Sequence, residues 1–285
     1  MKRFLKTHFN RFLPDAMRSL IKKRLAARFV APVTSQVSVE ETPIALKCRI
    51  GNDLSFLAPS NCNYDLAYFI ETAEGRAEID GIARAARTGG VLFDIGAHSG
   101  LISALFCAAN PQSIAFAFEP SPLLAERLFA IRDLNQLGER MRIEQCGIGE
   151  KTAIIEMAFD PVGGHVQTQR FEHSMWAAPQ PIKVKIESIS DAAARLNVVP
   201  QFIKIDIEGY EFEAIKGSLK FLARHKPTIF LEVHLNYLEQ RQLSAKSLVG
   251  MFLSAGYAFY TSGDASLKPS AIYDSPLPIV RVIAR

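Results

Sequence analysis

The chain has 285 residues, 48% apolar and 22% charged, which excludes a disordered tail protein and suits one large domain with an extension or small companion. Its 17 glycines and 15 prolines are too few for a collagen-like or low-complexity chain, and its 4 cysteines contain no C-x-x-C pair, so a structural zinc site is not expected. Residues 1–30 carry nine Lys/Arg against Asp15 alone, while the rest carries 24 Lys/Arg against 28 Asp/Glu, which disfavours a nucleic-acid groove across the body.

Within the first 30 residues, Leu5, Phe9, Phe12, Leu13, Met17, Leu20 and Ile21 recur at helical spacing among Arg and Lys, with Pro14 as a break. Two readings stay open: a basic amphipathic helix docked on its own domain, or one lying on an anionic membrane surface. No apolar run is long enough for a transmembrane helix, and the start lacks the continuous apolar stretch of a signal peptide. The expected location is the cytoplasm, with peripheral contact at the inner membrane surface under the second reading.

Residues 31–43, with Pro32, Pro43 and several Ser/Thr, read as a linker that completes the 1–43 extension. Residues 44–88 read as a short β-ribbon at 44–57 leading into a helix over 65–87. From 89 to 285 the pattern alternates. Strands are predicted at 91–95, 113–118, 202–207 and 228–233, with helices at 99–109, 122–137, 211–223 and 244–255. This predicts an α/β core, a mostly parallel sheet with helices on both faces. Two β-rich runs, 153–159 and 182–187, interrupt the rhythm around a Gly163-Gly164 loop, and late strands at 257–261 and 279–283 complete the sheet.

The most specific local signal is Val91-Leu92-Phe93-Asp94-Ile95-Gly96-Ala97-His98-Ser99-Gly100. An apolar strand runs into Asp94, then two glycines four apart, then a helix whose N-terminus presents free N–H groups. The dinucleotide fingerprint G-x-G-x-x-G is absent. A strand-end carboxylate suits a cationic ligand group better than a pyrophosphate, and S-adenosylmethionine carries such an amine. About 20 residues on, the strand Phe116-Ala117-Phe118 ends in Glu119-Pro120, where an acid can accept both hydroxyls of a ribose. His98 either lines this pocket or caps the helix.

A second signal lies at Gln201-Phe202-Ile203-Lys204-Ile205-Asp206-Ile207-Glu208-Gly209-Tyr210-Glu211. At strand period, Lys204, Asp206 and Glu208 share one face, and in the next strand Phe230, Glu232 and His234 do the same. Central parallel strands are usually apolar on both faces, so charges there need partners or a task. If the two strands are neighbours, Asp206, Glu208, Glu232 and His234 gather at the edge that holds the glycine loop. Such carboxylates either share protons at raised pKa or bind a cation such as Mg²⁺, with Asp206, Glu208 and Glu232 as the ligands. Either arrangement suits removal of a proton from a hydroxyl. Asp206 is the first candidate base, Glu232 and His234 the next, and Lys204 orients the acceptor or neutralises the cluster. The alternative for Lys204 is an ion pair with Asp206 or Glu232 that only fixes the strands. Glu211 reads as a first-turn helix residue favoured by the dipole.

Together these blocks resemble the FkbM family of S-adenosylmethionine-dependent methyltransferases, over roughly residues 44–285. The resemblance implies a seven-stranded Rossmann-like fold and methylation, usually of a hydroxyl oxygen. It places Asp94, Gly96 and Gly100 on the methionine part of the cofactor and Glu119 on its ribose, with Ala97 and His98 completing the loop. The family commonly has Asn where this chain has His98. The implied acceptor is a hydroxyl on a sugar, glycan, lipid or secondary metabolite. Competing readings are a nucleic-acid methyltransferase, which lacks its Asp/Asn-Pro-Pro-aromatic or Pro-Cys motif here, a nicotinamide oxidoreductase, and a non-catalytic cofactor-binding or membrane-tethered partner protein.

Overall fold

The computed structural model describes residue 29 and residues 36–161, 166–167 and 180–285. The basic amphipathic segment expected over 1–30, apart from residue 29, the membrane contact expected of it and the Gly163-Gly164 loop lie outside these residues. No helix among the described residues is long and apolar enough to cross a membrane.

The described chain opens with an antiparallel meander, β1 (Val37–Glu41), β2 (Leu46–Ile50) and β3 (Leu54–Ala58). The linker expected over 31–43 is therefore corrected at its end. Val37 and Val39 alternate with polar residues, and β1 pairs in register with β2, Val39 opposite Cys48. The single helix expected over 65–87 is two, α1 (Asn63–Glu71) and α2 (Ala73–Ala86). Thr72 breaks them: its backbone is extended, and its hydroxyl accepts the Gly75 N–H at 2.9 Å as an N-cap.

The main sheet comprises β4 (Val91–Ile95), β5 (Ile114–Phe118), β6 (Met141–Glu144), β11 (Phe202–Ile205), β12 (Thr228–His234), β13 (Phe259–Tyr260), β14 (Ser266–Leu267) and β15 (Ile279–Ala284). Its order is β14-β13-β15-β12-β11-β4-β5-β6, parallel from β12 to β6 and antiparallel through β15, β13 and β14. The seven strands expected are eight among the described residues. The added one, β14, is a two-residue return of a hairpin at the sheet edge, too short to show a period in the sequence. The interrupting β-rich runs form a separate sheet, β7 (Gly147–Ile148), β8 (Ala153–Phe159), β9 (Val166–Gln167) and β10 (Gln180–Glu187), in the order β7-β10-β8-β9.

Helices α3 (Leu101–Ala109), α4 (Pro122–Leu134), α5 (Ile189–Leu196), α6 (Glu211–His225), α7 (Leu235–Gln240), α8 (Ala245–Ser254) and α9 (Pro269–Tyr273) complete the order. Successive residues of β4 feed two cores. Leu92 belongs to the same buried cluster as Ile82, Leu105 and Leu128 of α2, α3 and α4, and Phe93 to the one that holds Ile189, Ile215 and Phe252 of α5, α6 and α8. Burial on both faces explains the continuous apolar runs of the central strands. The strand order reverses between β4 and β11, so the crevice beyond their C-terminal ends is where a sheet of this kind takes its ligand.

Candidate active site

Asp94 sits in β4 at 1% exposure, in register with Lys204 of β11. Ser103 of the following helix donates to its Oδ2 at 2.7 Å, while Oδ1 has no hydrogen-bond partner. Burial pushes the Asp94 pKa up, against the opposing charge of Lys204. An orphaned, buried carboxylate oxygen is a costly feature unless something cationic meets it. Glu119 is buried at the end of β5. Its Oε2 accepts the His98 N–H and its Oε1 the Ser121 N–H, both at 3.0 Å, so the carboxylate is fixed while each oxygen keeps a lone pair.

The two glycines of the loop serve the protein before any ligand. Gly96 lies at φ +79°, where a Cβ would come within 1.9 Å of the Asp206 carbonyl oxygen. Gly100, at φ +80°, faces Leu128, Ile131 and Met141, and a Cβ there would meet Leu128 at 2.7 Å. Of the loop residues, Asp94, Gly96, Ala97, His98 and Ser99 line the cavity, and Gly100 does not. His98 holds a left-handed backbone at φ +51°, with Nδ1 3.5 Å from Asp65 Oδ2. Burial opposes its charge, but the Asp65 carboxylate prevails and raises its pKa.

Across the cavity, β11 ends at Ile205, one residue before Asp206, so the strand alternation expected through Glu208 stops short. Glu208 instead lies in a turn at φ +53°. The four expected residues nevertheless converge. His234 Nε2 lies 3.5 Å from Glu232 Oε1, 3.7 Å from Glu208 Oε2 and 3.8 Å from Asp206 Oδ1. Lys204 Nζ donates to Asp206 Oδ2 at 3.0 Å, the ion pair named as its structural alternative. Burial disfavours the Asp206 charge, yet Lys204, His234 and Arg281 outweigh it and hold this carboxyl well below the usual range. Burial and the Asp206 charge push Glu232 upward. For His234, burial is overcome by Glu211, Glu208 and Glu232, which raise its pKa to about 10 and keep it an imidazolium at neutral pH.

Several partners were not expected. Glu211, read as a helix-start residue, is fully buried and holds His234 Nδ1 at 2.8 Å. Arg281 of β15 places its guanidinium on Glu232 at 2.7 Å and on Glu78 of α2 at 3.2 Å, with Tyr68 beneath it at 4.9 Å. A lone arginine inside the apolar run Ile279-Val280-Arg281-Val282-Ile283 was the available signal. Asp65, Tyr68 and Glu78 come from helices whose packing local sequence does not announce.

The two sides enclose one cavity of about 640 Å³, within the range of about 300–1,000 Å³ usual for small-molecule sites. Met157, Val166 and Ile186 of the smaller sheet form an apolar part of its wall. A smaller cavity of about 210 Å³ shares Lys204, Glu232, Arg281, Tyr68 and Glu78 with it.

Among solved structures, the chain is similar to a methyltransferase FkbM from Methylobacillus flagellatus KT, at 17% identity and TM-score 0.40, covering 69% of this chain and 43% of that one. It is also similar to an S-adenosylmethionine-dependent methyltransferase from Agrobacterium tumefaciens, at 9% identity and TM-score 0.44, covering 86% and 70%. A third similarity is to precorrin-6y C5,15-methyltransferase from Geobacter metallireducens GS-15, at 14% identity and TM-score 0.38, covering 76% and 89%. The chain thus spans less than half the length of the M. flagellatus protein. No curated protein matches its sequence. The family described as "Methyltransferase FkbM domain" matches residues 94–259, a stretch that starts at the orphaned Asp94, takes in the whole acidic cluster up to His234 and covers more than half of the chain; this protein belongs to the FkbM methyltransferase family.

Proposed function

We propose that the protein is an S-adenosylmethionine-dependent O-methyltransferase whose acceptor is a hydroxyl of a small molecule, glycan or lipid. The observation that carries this reading is the orphaned Asp94 oxygen, opening on the same cavity as Glu119 and the Asp206–Glu232–His234 cluster. The residues fit the cofactor: Asp94 for its amine, Glu119 for the ribose hydroxyls, and the Gly96–His98 turn as backbone wall. When bound, S-adenosylmethionine supplies an electrophilic methyl on a good leaving group, so the protein's share of the work is positioning and handling one proton.

Asp206 is assigned that proton. It is ionised, 31% exposed in its side chain and steadied by Lys204. A carboxylate of low pKa suffices, because a hydroxyl oxygen gaining a second carbon becomes strongly acidic as the bond forms. Positioned proton acceptors typically contribute roughly 10²–10⁴-fold. Lys204 and the His234 imidazolium keep Asp206 charged. Glu232 is committed to Arg281 and orders the cluster from behind.

The expected metal set changes in this geometry. Asp206, Glu232 and His234 bring ligand atoms within 4.8 Å of one another, with His234 in place of Glu208. Asp206 and Glu232 already carry Lys204 and Arg281, so a divalent ion would have to displace two ion pairs. We therefore assign the cluster to proton transfer.

Calorimetric titration with S-adenosylmethionine, with NAD as control, tests the cofactor assignment. Saturable binding is expected, weakened roughly 10–100-fold in Asp94→Ala and in Glu119→Ala, the loss typical of a charged hydrogen bond. Full-strength binding in both variants, or preference for NAD, would refute it.

A further inference from the structure

Methyl transfer gives no task to the basic segment that precedes the fold, and the row of apolar residues within it ends inside the protein. Met17, Ile21, Leu25 and Phe29 stand four apart, so at helical spacing they share one side, with Lys23 on the opposite side. Phe29, the last of them, is 8% exposed and belongs to the buried cluster that holds Ile205, Leu231, Val280 and Val282. It also lines the smaller cavity of about 210 Å³.

That cavity borders an incomplete sheet edge. β15 pairs with β12 through the whole of Ile279–Ala284, but β13 covers its other edge only at Ile283 and Ala284. Among the described residues, positions 279–282 have no strand partner on that side, and all four line the cavity. Ser262 lines it too, and its buried Oγ has no hydrogen-bond partner among the described residues. Free strand edges are ordinarily covered by a helix or loop, because their outward N–H and C=O groups must be answered. Chain connectivity names the candidate. Twenty-eight residues precede Phe29, and they join the described fold at this cavity's own wall. A helix on an anionic membrane would have to bury the same apolar row between headgroups and acyl chains. With Phe29 in the core, the end of that row is already committed to the protein.

We propose that the smaller cavity and the open edge of β15 are a docking surface for residues 17–28 of this same chain, with Phe29 as the anchor and Met17, Ile21 and Leu25 as the face laid against it. The wall they complete is shared with the reaction cavity through Lys204, Glu232 and Arg281. The extension thereby closes the rear of the acidic cluster against water and is not a membrane anchor. This stands apart from the identity of the acceptor.

The test is hydrogen–deuterium exchange of the full chain, read by mass spectrometry at 17–28 and at 279–282, beside sedimentation with vesicles of phosphatidylglycerol and phosphatidylcholine. Protection is expected at both segments, and the chain is expected to stay in the supernatant. Leu25→Glu puts a charge on the apolar row and is expected to speed exchange at both segments by about 10-fold or more, the factor carried by one buried leucine. Exchange in β4 stays unchanged, which separates release of the segment from unfolding. Leu25→Ala is expected to move the same two segments by less, and it carries the comparison if Leu25→Glu unfolds the chain. Lys23→Gln, on the opposite side, is expected to move neither. Absence of protection at 17–28, exchange at 279–282 that the Leu25 variants leave unchanged, or an equal effect of Lys23→Gln overturns the proposal. Sedimentation of the unaltered chain with the vesicles gives the row to the membrane and overturns it as well.

Discussion

The two sides of the cavity hold their carboxylates by opposite means. At the ends of β4 and β5, Asp94 and Glu119 are fixed by neutral donors, the Ser103 hydroxyl and the N–H groups of His98 and Ser121, and burial lifts the pKa of both. At the ends of β11 and β12, Asp206 and Glu232 are fixed by full charges, Lys204 and Arg281. A carboxylate held by neutral dipoles is incomplete until a cation arrives. Asp206, held by the Lys204 ammonium, is ionised beforehand, whereas burial and the Asp206 charge push Glu232 upward despite Arg281. The first side is thus prepared for a positively charged ligand, and the second for a reaction that needs its charge already in place.

That comparison breaks most sharply if charge on the second side is removed. Asp206→Asn keeps the size of the side chain and a hydrogen-bond acceptor for Lys204, so kcat is expected to fall roughly 10²–10⁴-fold. The S-adenosylmethionine Kd stays within a few-fold, because Asp94 and Glu119 are untouched. Single-turnover kinetics alongside calorimetry check both. Unchanged turnover would remove Asp206 from the chemistry and favour the non-catalytic, cofactor-binding alternative.

The sides meet at Gly96, where an added Cβ would come within 1.9 Å of the Asp206 carbonyl oxygen. Gly96→Ala is expected to cost about 2–4 kcal/mol, from left-handed backbone strain plus a steric overlap that both strand ends must absorb. Gly138→Ala is the control. That glycine is also left-handed, at φ +50°, but has nothing within 4 Å, so its cost is limited to about 1–2 kcal/mol of backbone strain. Equal shifts of the two urea midpoints would show that the Gly96–Asp206 approach is looser than described.

Legibility in the sequence followed the same division between local and tertiary causes. Asp94, Glu119, Asp206, Glu232 and His234 stand at or just past strand ends, where a charge after an apolar run is visible one strand at a time. Their convergence followed from β11 and β12 being neighbours, which alternation of strands and helices implies. Arg281, Glu78 and Tyr68 reach the site from β15, α2 and α1, elements brought there only by the closing of the sheet and the packing of the meander's helices. At Gly100 the sequence alone points to ligand approach, because a glycine next to a helix start looks the same whether a ligand or Leu128 lies opposite. β6 and α5 leave little trace in the sequence for a simpler reason. Each is short, although Ser188, which accepts the Asp191 N–H at 3.0 Å, was a capping signal for α5.

The pH dependence sharpens the comparison with the least disturbance to the chain. Burial raises the folded-state pKa of Asp94 above its unfolded value of about 3.9, so the fold itself favours the protonated form and gains stability as pH falls through that raised pKa. Asp206 has the opposite sign. Its folded pKa is depressed, so its contribution is present above about pH 3.9 and is lost only as pH falls through the lower folded value. Between these two titrations the native state keeps its Lys204–Asp206 pair while the carboxylate meant for a cation has taken a proton. S-adenosylmethionine affinity is therefore expected to weaken on acidification before the fold does. Calorimetric Kd values measured downward from pH 7, beside far-UV circular dichroism at each pH, resolve the order. A Kd that holds constant until the protein unfolds would mean that Asp94 carries no more of a desolvation penalty than an ordinary surface carboxylate, and the distinction between the two sides would lose its physical basis.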